Sequence, residues 1–315
     1  MTDEKHSDAG VIKTLIAGIV ANMGLGIIKL IAWFFTQSSA MLAEALHSMA
    51  DSSNQILLAV GLKRSKKVAT EKHPFGFDKE RYFWSFLVSL LIFLVGGAFA
   101  IYEGVHKVSH PTPVTNVKWV YIALGMGLFL EGFALRVAFI EFKHFRANNP
   151  GTFFQSLKDT KDPTLPTVLF EDAAALVGLI IALVGITIAY FTGNGIWDGA
   201  ASILIGVLLV GVSWFLAVES HSLLVGESAS RKDQATIREI VDSEPQVNEC
   251  IELITLQRGP SQILVALTLD FQDDMKTQEL ETLIARIEDR IREKVYGANH
   301  IFIEVGSLRL RGRRA

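Results

Sequence analysis

Glu44, His47, Asp51 and Asn54 lie within an otherwise apolar stretch, Ala43 to Leu58, at helical spacing. On a helix at 100° per residue they fall within roughly 80° of one another and form a single polar stripe. An imidazole and a carboxylate four residues apart make two adjacent arms of a divalent-metal site. Ionisable groups inside a hydrophobic helix are costly and mark an ion path or a proton relay. The plainer reading of His47 and Asp51 is an interhelical hydrogen bond that glues this segment to a neighbour. Glu44 and Asn54 extend the stripe beyond what such glue needs.

Any partner for that pair must come from another helix at similar depth. Glu171 and Asp172 lie about two turns past Pro163, where Asp162 can cap the helix. The same face continues through Ala174, Ala175, Gly178, Ala182 and Gly185, small residues that let helices pack closely in lipid. Packing accounts for the alanines and glycines but not for two adjacent carboxylates.

Elements long enough to hold these groups follow from composition. Half of the 315 residues are hydrophobic and the mean hydropathy is +0.34, which predicts a membrane protein. The net charge of −3 argues against nucleic acid as a partner. A single cysteine, Cys250, excludes an intrachain disulfide framework and a multi-cysteine metal cluster. The first ten residues are polar and partly acidic and read as an N-terminal tail rather than a signal peptide or presequence. Six spans are expected at roughly 11–36, 38–62, 81–109, 117–141, 165–191 and 196–219, so that 11–220 is the membrane domain. Lys63, Arg64, Lys66, Lys67, Lys72, Lys79 and Arg81 fill the second connection, and Lys143, Arg146, Lys158 and Lys161 the fourth. This bias predicts that both connections and both termini are cytoplasmic, in a multi-pass protein of the cell's inner (plasma) membrane.

Past Val225 the pattern changes. Residues 230–243 read as a helix, Glu249–Gln257 and Gln262–Phe271 as strands, 277–295 as a second helix and Ile301–Val305 as a third strand. In the second strand Ile263, Val265, Leu267, Leu269 and Phe271 alternate, and Leu280, Leu283, Ile284, Ile287, Ile291 and Val295 share one helix face. An α-β-β-α-β order over 225–308 predicts a small ferredoxin-like α+β domain, followed by a basic tail at 309–315.

These residues together resemble the cation diffusion facilitators, the zinc-transporter family of six-span, proton-coupled exporters. The resemblance rests on Ala43–Asp51, on His73-Pro74-Phe75-Gly76-Phe77 with Arg81-Tyr82, on the acidic start of span five, on Ile196-Trp197-Asp198, and on the C-terminal domain. The loop wording and the Glu171-Asp172 pair are closest to the branch that contains the mitochondrial zinc-transporter homologue. The resemblance implies a four-ligand site between spans two and five, with His47, Asp51 and Glu171 at matching positions. The fourth position falls on Ala175, which cannot bind a metal, and Asp172, Glu44 and Asn54 remain alternatives for it. It also implies a homodimer built through the cytosolic domain. A second metal site in the loop would use His73, but its matching partner position is Phe77. In the C-terminal domain His300 is the only histidine past His221, and Glu304 stands where a ligand histidine would, so regulatory metal binding there is not expected.

Metal binding requires neutral imidazole and ionised carboxylates, so loading releases protons and protonation favours release. His47, with a reference pKa of about 6.5, is the natural titrating group. Zinc is the expected cargo; manganese, iron or cobalt suit an oxygen-rich set as well. A non-transporting metal-sensing scaffold is a further alternative, and an intramembrane enzyme lacks any general-base motif such as HExxH. No bound cofactor is expected. In span four Glu131 and Arg136 read as an internal pair, with lining of the ion path as the alternative, and Lys29 reads as a residue that snorkels outward.

Overall fold

The computed structural model describes residues 19–20, 22–148 and 152–306. The expected N-terminal and C-terminal tails and the start of span one lie outside these residues. The described residues fall into two units, one running to Asn148 and then Pro163–His221, the other 152–162 with Ser222 onward.

The first unit is helical. α1 is the apolar helix Asn22–Thr36, and α2 runs Ser39–Ser65. α3 is Glu80–Leu91, continued by a π-helical segment, Ile92–Ala98, into α4, Phe99–Ser109. α5 covers Lys118–Asn148 and, after α6 of the second unit, α7 covers Thr164–Thr192 and α8 Ile196–Val225. Among the described residues four stretches are long and apolar enough to cross a membrane: Glu80–Ser109, Lys118–Lys143, Thr164–Thr192 and Ile196–Val225. α2 is long enough, but its polar stripe lowers its hydropathy.

α2 packs against α3, α4 and α7, and α5 packs against α7. The expected small-residue face of α7 is buried from Ala174 through Gly185. Where α4 meets α8 the backbones touch: a Cβ on Gly104 would lie 2.7 Å from the Gly199 carbonyl oxygen. Only glycine permits that approach. Pro163, rather than the expected Asp162, takes the N-cap position of α7, and it makes no side-chain hydrogen bond there. Proline's fixed φ already suits a helix start, which lessens the need for a capping side chain.

In the second unit α6 (Phe153–Asp159) precedes α9 (Arg231–Asp242), β1 (Val247–Gly259), β2 (Gln262–Phe271), α10 (Thr277–Lys294) and β3 (Ala298–Gly306). The strands form one three-stranded sheet in the order β1-β2-β3, antiparallel between β1 and β2 and parallel between β2 and β3. The expected α-β-β-α-β order is present. The described sheet departs from a ferredoxin-like one because no strand precedes α9, and β2 and β3 become direct parallel neighbours across the α10 crossover. The alternate residues of β2 from Ile263 to Phe271 are buried against Ile237, Ile240 and Val241 of α9 and Leu283, Ile287 and Ile291 of α10. Asp273 and Asp274 form the exposed turn after β2.

Candidate metal site

Serine starts the helix that carries the polar stripe. Ser38 is the N-cap of α2 and its hydroxyl accepts from the Met41 backbone N–H. Asp198, at the first turn of α8, adds a second layer that local spacing does not reveal. Its carboxylate accepts from Ser38 Oγ at 2.6 Å, Ser39 N at 2.8 Å and Ala40 N at 3.2 Å. A carboxylate at a helix N-terminus satisfies donors that the helix itself cannot. Lys107 of α4 stands 3.9 Å from Asp198 and donates to the Gln37 carbonyl. The starting end of α2 is thus tied to α4 and α8, and this fixes the rotation of its polar face.

On that face His47 and Asp51 are 1% and 5% exposed, with His47 Nδ1 3.6 Å from Asp51 Oδ1. Both ring nitrogens of His47, and Oδ1 of Asp51, have no hydrogen-bond partner. Buried polar atoms without partners are rare in proteins and call for an explanation such as an ion. One turn further along α2, Asn54 Nδ2 donates to Glu171 Oε1 of α7 at 2.8 Å. Asn54 Oδ1 is also buried and unpartnered. Glu171 interacts electrostatically with Asp51, Asp172 and Glu131, so acids of α2, α5 and α7 share one region.

His47, Asp51, Asn54 and Glu171 are therefore drawn together, and Asp172 is half-buried beside them. They do not form a closed chelate. Among the described residues no three His, Cys, Asp or Glu side chains are close enough to hold one ion. Glu171 is held at the level of Asn54, three residues or about 4.5 Å along α2 from Asp51. Ala175 is buried and supplies no donor.

Two expectations are corrected here. Lys29 does not snorkel outward: it is 0% exposed, and its ammonium is 3.0 Å from Glu44 Oε2 and 2.8 Å from Ser48 Oγ. Both partners lie on α2, and inward burial brings their two acceptors within reach. Glu44 is in consequence the ion-pair partner of Lys29, and its Oε1 is unpartnered and abuts Gly178 of α7. Glu131 and Arg136 do not pair. Their five-residue spacing puts them on opposite faces of α5, and Glu131 is buried with Oε1 unpartnered while Arg136 is exposed. Glu131 interacts electrostatically with Lys29, Asp51, His47 and Glu44. Its burial could not be read from a helix whose polar residues are this sparse. His73 is exposed in the α2–α3 connection, its ring 4.6 Å from that of Phe77.

A membrane helix unit with an imidazole and acids facing inward, joined to a small α/β unit, defines a cation-handling membrane protein. The chain belongs to the cation efflux family: residues 15–225 match its transmembrane domain and 229–307 its cytoplasmic domain. It is 33% identical, over 84% of its length, to a Xenopus laevis protein named proton-coupled zinc antiporter SLC30A9, mitochondrial, 48% of which is covered. It is 30% identical over 88% of its length to metal tolerance protein C4 of Arabidopsis thaliana, covering 60% of that protein. A Bacillus subtilis protein named cadmium, cobalt and zinc/H(+)-K(+) antiporter is 22% identical over 95% of this chain and 90% of its own length. The chain spans about half the length of the frog relative.

Proposed function

We propose that this protein is a secondary active transporter that exports zinc from the cytoplasm in exchange for protons. The observation that carries the reading is the buried, unpartnered imidazole of His47 beside the Asp51 carboxylate, which is itself within electrostatic reach of Glu171 and Asp172 of α7. The names of the frog and Bacillus relatives, which cite zinc and protons, support the same cargo and coupling.

In this reading six helices cross the membrane, with α1 and α2 joining the four longer apolar stretches, and the basic connections face the cytoplasm. His47, Asp51 and Glu171 are the ligands, with Asp172 or a water in the fourth position, a coordination number that zinc accepts. Glu171 reaches the His47/Asp51 pair by leaving Asn54 as α7 shifts along α2. Cytosolic zinc binds neutral imidazole and ionised carboxylates and displaces protons. Protons entering from the opposite face protonate the same groups and release the ion. The protein works as a homodimer through its C-terminal unit. The outer face of that sheet supports this: Ile254, Ala266 and Phe302 stand side by side across the three strands, and Ile254 and Phe302 are about half exposed.

Purified protein in liposomes with an imposed proton gradient tests the proposal. Zinc should move against its own gradient, driven by protons, and H47A and D51A should abolish the flux. Proton-independent zinc leakage, or unchanged flux in both variants, would refute it.

A further inference from the structure

Lys29 is a buried ammonium that the transport cycle does not use. We propose that it determines cargo specificity by holding Glu44 out of the cargo's coordination sphere. The inference rests on the proposed function.

A cation inside an apolar helix is expensive unless it is paired and hydrogen-bonded. Here both conditions are met by α2 alone, through Glu44 Oε2 and Ser48 Oγ. Glu44 is three residues before His47 and Ser48 one residue after it, so the ammonium grips the same turns that present the imidazole. Glu131 of α5 and Asp51 of α2 are further acids within electrostatic reach of Lys29. The free oxygen of Glu44, Oε1, is buried, unpartnered and set against α7. Glu44 is therefore one ion pair away from becoming an extra carboxylate ligand on the same polar stripe.

That extra ligand would change the chemistry. One imidazole with two or three carboxylates suits a four-coordinate zinc ion. A further carboxylate makes the set larger and harder, which favours six-coordinate ions such as manganese. Lys29 withholds this donor, which keeps the site selective; the like charge it adds beside the bound dication weakens zinc and manganese alike.

Zinc and manganese binding are measured by calorimetry on the full chain in lipid nanodiscs at one pH, for wild type, K29M and K29M/E44Q. K29M should bind manganese about tenfold tighter than wild type, which is ~1.4 kcal/mol, and lose a similar factor of zinc preference. The double variant should return to the wild-type preference, a reversal that a merely structural lysine would not give. An unchanged metal preference in K29M overturns the proposal. So does a double variant whose zinc affinity falls about tenfold or more, since Glu44 would then be a ligand in the unmodified protein. The second result decides the matter alone if K29M fails to fold. Wild type that binds no zinc refutes the proposed function instead.

Discussion

Removing the Asp198 carboxylate should loosen the whole polar helix although Asp198 is remote from the ligands in sequence. In D198A the buried N–H groups of Ser39 and Ala40 and the Ser38 hydroxyl lose their acceptor, and Lys107 loses its carboxylate. Each buried donor left without a partner costs about 1–3 kcal/mol, and breaking a buried ion pair costs about 3–5 kcal/mol. These terms overlap, because Ser38 Oγ still accepts from the Met41 N–H and Lys107 keeps Gln37 and Thr112 as acceptors. A loss of about 3–5 kcal/mol is expected for D198A. D198N keeps one acceptor oxygen and should fall between D198A and wild type. S38A alone should cost about 1 kcal/mol as a lost cap. In D198A it should cost less, since the two share one network. The assay is reversible unfolding in mixed micelles, followed by helical signal, with zinc flux as the functional readout. A D198A variant within about 0.5 kcal/mol of wild type, the range of ordinary surface substitutions, would refute the claim that α2 is anchored through its first turn.

Three further outcomes follow from other contacts. N54L removes the donor that holds Glu171; a charge-assisted hydrogen bond is worth about 1.5–3 kcal/mol, so zinc should bind about tenfold tighter or more, whereas weaker binding in calorimetry would make Asn54 a ligand. G199V places a side chain against the Gly104 carbonyl and Val108 and should separate α4 from α8, seen as lost disulfide trapping between cysteines placed on the two helices, with flux lost in parallel. Burial raises the thiol pKa of Cys250, so its neutral form is favoured. Alkylation by iodoacetamide should be slower at neutral pH than for a free thiol and should accelerate as pH rises through the raised value; a rate equal to the free thiol's would contradict the burial.

Periodicity carried much of the fold into view. The alternation in β2 and the apolar face of α10 were legible because a half-buried strand and an amphipathic helix repeat their burial over many residues. The stripe of α2 was legible for the same reason. Glycines of α4 and α8 carry no such signal, because no repeat along either helix tells which glycine meets a backbone on its partner. The π-helical turn at Ile92–Ala98 also had no signature in a uniformly apolar run.

What the sequence determined alone is which residue types lie inside apolar helices: an imidazole and a carboxylate on one face of α2, and two acids on α7. These follow from a fixed 100° per residue and from the cost of charge in hydrocarbon. Tertiary structure decided which of those charges meet. Lys29 closes on Glu44, Asn54 holds Glu171, and Asp198 caps a helix 158 residues away in sequence. Partner choice depends on the rotation and axial shift of one helix against another, set by packing over their full length. No local pattern around a single residue contains that information.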